Sequence, residues 1–147
     1  MIDSGNRRVT YVQYSTETNW QKNLPNDNWL LLLYEDNAKS TYLDEVISKA
    51  INNNVGYVCM TGSRAEKIHD LIDEEIAYRM AENDFQPNSY HLPEHLIITT
   101  WHTDLEEGID YAINLAEHGS IPIREAIYLD ISEGDYFKDR LEEQTRQ

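Results

Sequence analysis

Apolar residues in this chain form four short unbroken runs, and each run is followed by a segment with apolar residues at every third or fourth position. Unbroken runs bounded by turn residues predict strands covered on both faces, and the three-to-four spacing predicts amphipathic helices. We expect the strands at 29–34, 55–60, 95–100 and 125–131. Strand and helix therefore alternate four times along the chain.

This alternation predicts a three-layer α/β sandwich with a mostly parallel, four- to five-stranded sheet, helices on both faces, and Rossmann-like or flavodoxin-like topology. We expect one domain over 1–147, in which 1–28 is an N-terminal extension with an edge strand near Val9–Tyr14. Numbered along the chain, the four main strands are expected in the order 2-1-3-4. That order places the switch point, where ligands bind in open α/β sheets, between the strands that end at Glu35 and Thr100.

Composition and charge narrow the function classes. The formal net charge is −15, from 27 acidic and 12 basic residues. Such a chain repels nucleic-acid phosphates and anionic membranes, and it suits a basic protein partner, a cation or simple solubility. No signal peptide and no apolar run of membrane-spanning length is evident in the sequence, so we expect a cytoplasmic protein. Cys59 is the single cysteine and lies in an apolar run, which predicts a buried, inert thiol.

The segment Thr99–Asp104 combines an aromatic ring, an imidazole and a carboxylate between an apolar run and a helix. We expect it at the carboxyl end of a buried strand and in the turn that follows, where α/β sheets bind ligands. His102 is the candidate acid–base group of this segment. The candidate ligand-binding residues are Thr99, Thr100, Trp101 and Asp104.

Glu35 and Asp36 end the first main strand and complete this candidate cleft. A histidine beside carboxylates suits general acid–base catalysis by His102, Asp36 and Glu35, or one divalent cation at Glu35 and Asp36. No other cofactor and no other metal is expected. A structural alternative stays open, in which Thr103 or Asp104 caps the following helix, Trp101 fills the core and His102 is exposed.

Two further groups of residues carry chemistry. Thr61–Arg64 is a glycine-containing loop before a helix, a weak match to an anion cradle in which capping by Ser63 is the favoured interpretation. Asp70, Asp73 and Glu74 are neighbours on one helix. They predict a solvated face or a surface for a basic protein partner, and they are the candidate partner-binding residues.

One resemblance concerns the run 31–37, which is similar to the start of response-regulator receiver domains, where an acidic pair ends the first strand. The third strand of such a domain supplies a phospho-accepting aspartate, but here it carries Thr99 and Thr100. No suitable lysine ends the fourth strand. A working phospho-receiver is therefore not expected, and only the likeness of fold is left.

A second resemblance extends from Val46 to Ser132. This part resembles a family of small, uncharacterised bacterial α/β proteins with a G-[CY]-x-x-M strand, an acidic helix, a T-T-W-H string and a last strand that ends in I-S. The matching positions are Gly56–Met60, Asp70 and Asp73, Thr99–His102, and Ile131–Ser132. Thr103 stands where the family has an acidic residue. The resemblance implies a compact bacterial α/β domain and no particular activity.

Two functions follow from these observations. The first is a non-catalytic protein-binding module, such as an acidic inhibitor or immunity-type partner of a basic protein. The second is a small enzyme or ligand sensor that uses His102 with Asp36 and Glu35. The chain has a definite excess of negative charge and no complete catalytic motif, so we favour the first function.

Overall fold

Five parallel strands form the central sheet, in the order β1-β5-β2-β3-β4. The computed structural model describes residues 7–35, 40–132 and 136–145. The predicted α/β fold class, with an N-terminal strand at one edge, is confirmed. The strands are β1 (Arg8–Gln13), β2 (Trp29–Glu35), β3 (Tyr57–Gly62), β4 (Ile98–His102) and β5 (Glu125–Asp130).

The helices cover both faces of the sheet. On one face lie α1 (Ser40–Asn52), α2 (Ala65–Phe85) and a 3-10 turn at Trp20–Asn23. On the other lie α3 (Leu105–Asp110), which continues as a π-helical turn at Tyr111–Leu115, and α4 (Tyr136–Thr145). Among the residues that the structure describes, no helix has both the length and the apolarity that a membrane span requires.

The predicted order of the four main strands is wrong. In the same numbering the observed order is 3-2-1-4, which is the Rossmann-like arrangement, with β1 outside β5. The crossovers through α1 and α2 carry the chain outward on one face. The crossover through α3 then returns it across β2 on the other face. Apolar spacing predicts each helix but does not say which face the helix covers, so it cannot distinguish this order from 2-1-3-4.

Strand β2 is buried along its whole length, as its continuous apolar run predicts. Its odd-numbered residues pack under α1 and α2, and its even-numbered residues pack under α3 and α4. Cys59 on the neighbouring strand β3 is also fully buried, as expected.

Burial raises the pKa of Cys59 to about 12, so the thiol stays protonated and unreactive below that pH in the native state. We expect iodoacetamide at pH 8 to leave the native protein unmodified and to alkylate Cys59 once the chain is unfolded in guanidinium chloride. Intact-mass spectrometry measures both. Rapid alkylation of the native protein would contradict this.

Among the residues that the structure describes, two arginines are buried, and they bind backbone or side-chain oxygens from distant segments. Arg7 donates to Ile123 O at 3.2 Å, to Ala112 O at 2.6 Å and to Ala116 O at 2.8 Å, which fastens the N-terminal segment to the end of the π-helical turn. Desolvation lowers the pKa of Arg7.

Arg79 of α2 is the second buried arginine. It donates to Ser48 Oγ at 2.9 Å, to Asn52 Oδ1 at 2.8 Å and to His91 O at 3.0 Å, and it pairs with Glu75 at 2.8 Å. Arg79 thereby joins α1, α2 and the segment that leads to β4.

Replacing Arg79 tests its role, because Arg79→Met leaves several buried acceptors without a donor. We expect the free energy of unfolding to fall by about 2–3 kcal/mol. Urea denaturation of Arg140→Met is the control, because Arg140 is partly exposed beside Glu143 and its loss is expected to cost less than about 0.5 kcal/mol. Equal costs for the two variants would show that the buried contacts of Arg79 contribute little.

Candidate functional site

Strand β4 contains the whole Thr99–His102 string, so these residues form a strand and not the turn after one. Their side chains alternate between the two faces of the sheet. Thr99 contacts α2, whereas the ring of His102 packs on Tyr111 beyond α3 with ring centres 4.8 Å apart. The string therefore supplies two separate environments, with Thr99 and Trp101 on the α2 side and Thr100 and His102 on the α3 side.

On the α2 side, Thr99 meets a histidine and a carboxylate. The hydroxyl of Thr99 donates to Asp73 Oδ1 at 3.1 Å and lies 3.0 Å from His69 Nε2. The other ring nitrogen of His69 lies 3.5 Å from Asp70 Oδ1 and 3.6 Å from Asp73 Oδ2. Two groups that the sequence suggested separately, the string of β4 and the acids of α2, thus form one hydrogen-bonded cluster.

His69 is the residue that sequence reasoning missed in this cluster. Its spacing to Asp73 is i to i+4, which places both on one helix face and is visible in the sequence. Its contact with Thr99 is not visible there, because that contact requires α2 to pack beside β4. Glu74 was predicted to act together with Asp70 and Asp73, but it lies elsewhere, beside a groove of about 230 Å³ between α1 and α2.

Trp101 does not fill the core, because 40% of it is exposed. It lies on the same face of β4 as Thr99, one pleat repeat further along the strand. The side chains of Asp70 and Asp73 are 70% and 50% exposed. A large aromatic side chain and two solvent-facing carboxylates therefore share the α2 side of the sheet edge.

On the α3 side, His102 is enclosed. Only 10% of its side chain is exposed, with Thr100 Oγ1 3.2 Å from Nε2 and Glu107 Oε1 3.7 Å from Nδ1. Asp104 accepts a hydrogen bond from Glu106 N at 3.2 Å and so caps α3, as one form of the structural alternative predicts. The exposure of His102 that this alternative expected is wrong, because α3 and Tyr111 enclose the ring. This arrangement explains His102 and Asp104 as packing and capping residues.

Glu35 is not brought beside His102. Strand β3 lies between β2 and β4, which separates their backbones by about 10 Å, or two strand spacings. Glu35 is fully buried and paired with Arg64, whose Nε donates to Glu35 Oε1 at 3.1 Å. Asp36 lies outside the described residues, so a cation at Glu35 and Asp36 stays a prediction.

The observed strand order moves the switch point to the ends of β2 and β5. Asp130 at the end of β5 is a second buried carboxylate there, in register with Tyr34. Because side chains alternate along a strand, Asp130 lies on the α3–α4 face of the sheet and Glu35 on the opposite face. Asp130 accepts from Tyr11 OH at 2.7 Å and from Ser132 N at 2.8 Å. An acidic residue at the end of an apolar strand, such as Asp130, can be recognised in the sequence. Its place at the switch point could not be predicted, because the sequence did not reveal the order of the strands.

The loop at Thr61–Arg64 brings Arg64 to the buried carboxylate of Glu35, and an anion cradle there stays a prediction. Arg64 occupies the N-cap position of α2 and its side chain makes no capping hydrogen bond, so capping by Ser63 stays a prediction. Gly62 has φ +122°, and a Cβ there would collide with the backbone oxygen of Glu35. The close approach of β2 and β3 at this point therefore requires glycine.

Replacing Gly62 tests this constraint. We expect Gly62→Ala to lower the free energy of unfolding by about 3 kcal/mol or more, because both the positive φ and the contact with Glu35 become unfavourable. Gly119→Ala is the matched control, since open space surrounds that position. Thermal denaturation followed by circular dichroism compares the two, and similar melting temperatures would contradict the argument.

Across residues 7–35, 40–132 and 136–145, no group of three or more His, Cys, Asp or Glu side chains is arranged to hold a metal ion, and the cluster of His69, Asp70 and Asp73 is no exception. What that cluster offers is a charged, hydrogen-bonded surface.

Comparison with known proteins gives one match. A family model described as a domain of unknown function, DUF7684, matches residues 9–147. The chain belongs to this family. No curated protein and no solved structure matches the chain significantly. Membership of DUF7684 supports the expected relationship to an uncharacterised family and assigns no activity, so function has to be argued from the surface itself.

Proposed function

We propose that this member of DUF7684 is a non-catalytic protein-binding module that engages a basic partner through the α2–β4 surface. We define this surface by Asp70, Asp73, Thr99 and Trp101. The observation that carries the proposal is the exposed ring of Trp101 on the face where two exposed carboxylates stand. Aromatic anchors dominate binding energy at protein interfaces, and complementary charge accelerates association and selects the partner.

The acidic side chains of this surface are held in place before any partner arrives. Asp73 accepts from Thr99, and both Asp70 and Asp73 approach His69. Side chains that are already ordered lose less conformational entropy on binding. The Thr99–His102 string, which we take as the signature of the family, supplies Thr99 and Trp101 to the same surface.

The type of partner is inferred from charge. A net charge of −15 attracts a strongly basic protein and repels nucleic acid and anionic membranes. We therefore favour a role for this chain as an acidic inhibitor or immunity-type partner of a basic protein, acting in the cytoplasm. An enzyme built on His102, Asp36 and Glu35 has less support, because His102 is enclosed, Glu35 is paired with Arg64 and β3 lies between them.

The test requires the partner to be captured from the native host and its affinity to be measured by titration calorimetry. We expect the double substitution Asp70→Asn and Asp73→Asn to weaken binding at least about tenfold and to reduce its salt dependence. The control is Glu17→Gln with Asp27→Asn, which removes the same charge from exposed positions elsewhere. If both double variants weaken binding equally, overall charge acts and the α2–β4 surface does not.

A further inference from the structure

The outer edge of β4 presents unpaired backbone groups. Within the described chain, β3 is the sole neighbour of β4, and Ile98 N donates to Gly56 O at 3.1 Å. In a parallel ladder alternate residues bond to the same neighbour. Ile98, Thr100 and His102 therefore bond to β3, and the N–H and C=O groups of Thr99 and Trp101 point outward. No hydrogen bond to these four groups is present among the described residues.

This edge lacks the features that usually prevent pairing with another chain. Natural edge strands carry lysine, proline or a bulge, and β4 has neither residue and pairs with β3 without interruption. The opposite edge, β1, is positively charged. It begins at Arg8, and Lys138 Nζ lies 6.0 Å from the ring centre of Tyr11.

Acidic side chains line both sides of the β4 edge. On the α2 side Asp73 accepts from Thr99 and Asp70 lies beside His69, and on the α3 side Glu107 lies 3.7 Å from His102 and Asp104 follows the strand by two residues; all four acids are exposed. A strand placed beside β4 directs its successive side chains alternately toward these two sides. Basic side chains at both the odd-numbered and the even-numbered positions of an added strand would therefore lie near carboxylates.

We propose that β4 pairs with an extended, basic segment of the partner protein, which adds a sixth strand to the sheet. This inference rests on the proposed function and specifies how the partner is bound. A second copy of this chain is a poor occupant, because it would bring its own net charge of −15 against the same acids. Backbone pairing supplies affinity, and the two rows of acids select the basic segment.

Two synthetic peptides with blocked ends test the pairing. The first is VKRVKRVKR, which can form a strand. The second is PKRPKRPKR, which carries the same charge but has no N–H at its three prolines, so whichever edge of the peptide pairs loses at least one ladder donor. We expect the valine peptide to bind at least about tenfold more tightly at low salt. In its complex the amide protons of Thr99 and Trp101 should exchange more slowly with solvent, whereas those of Thr100 are already protected by β3.

Variants of Trp101 separate the backbone from the side chain. Trp101→Val removes the indole and keeps the N–H, whereas Trp101→Pro removes both and sacrifices no bond to β3. We expect Trp101→Pro to bind the valine peptide about tenfold more weakly than Trp101→Val does. Val9→Pro at the β1 edge is the control and should leave binding unchanged. If Trp101→Pro does not fold, amide exchange at Thr99 and Trp101 in the unsubstituted protein bound to the valine peptide tests whether β4 pairs with the peptide.

The outcomes distinguish the two proposals. If both peptides bind equally and the amides of Thr99 and Trp101 gain no protection, edge pairing is wrong, while salt-sensitive binding of both peptides still supports the acidic surface. If neither peptide binds at low salt, the basic partner itself is wrong. Sedimentation measures whether the chain forms a dimer that Trp101→Pro dissociates. Such a dimer would show that β4 pairs with a second copy of this chain instead of a basic segment, and it would overturn the inference.

Discussion

The burial of β2 on both faces is the constraint on which the rest of the structure depends. Every residue of this strand is buried, so the strand needs one layer of helices above it and another below it. Neither layer can cover both faces. The chain therefore sends α1 and α2 to one side and then crosses to the other with α3. That change of side reverses the direction of the crossovers and fixes which strands become edges.

The sequence was a good guide to elements and a poor guide to their neighbours. The run at 29–34 predicted the central strand, and the alternation predicted the fold class correctly, because hydrophobic burial leaves a direct record in residue spacing. The order of the strands leaves no such record. Only the face that each helix covers distinguishes 2-1-3-4 from the observed 3-2-1-4, and amphipathic spacing is the same in both cases.

The residues of the candidate site could likewise be predicted from the sequence, but their contacts with other elements could not. The Thr99–His102 string was singled out in the sequence as dense in chemistry, but as a strand it divides its residues between two faces. Thr99 joins His69 and Asp73, while His102 is enclosed beside Tyr111. A pairing of His102 with Glu35 required β2 and β4 to be neighbours. Contacts between elements distant in the sequence depend on packing, which a single sequence read along its length does not record.

The place of β1 has a consequence for the order in which the chain folds. Within the described part of the chain this strand pairs only with β5, from Arg8 opposite Glu125 to Gln13 opposite Asp130. Arg7 likewise binds carbonyl groups more than 100 residues away. Of the strands described, the first to be synthesised thus waits for the last one before it can pair. Until β5 has been synthesised, β1 forms none of its native strand pairs, and closure of the sheet on that side is the step with the longest loop to close.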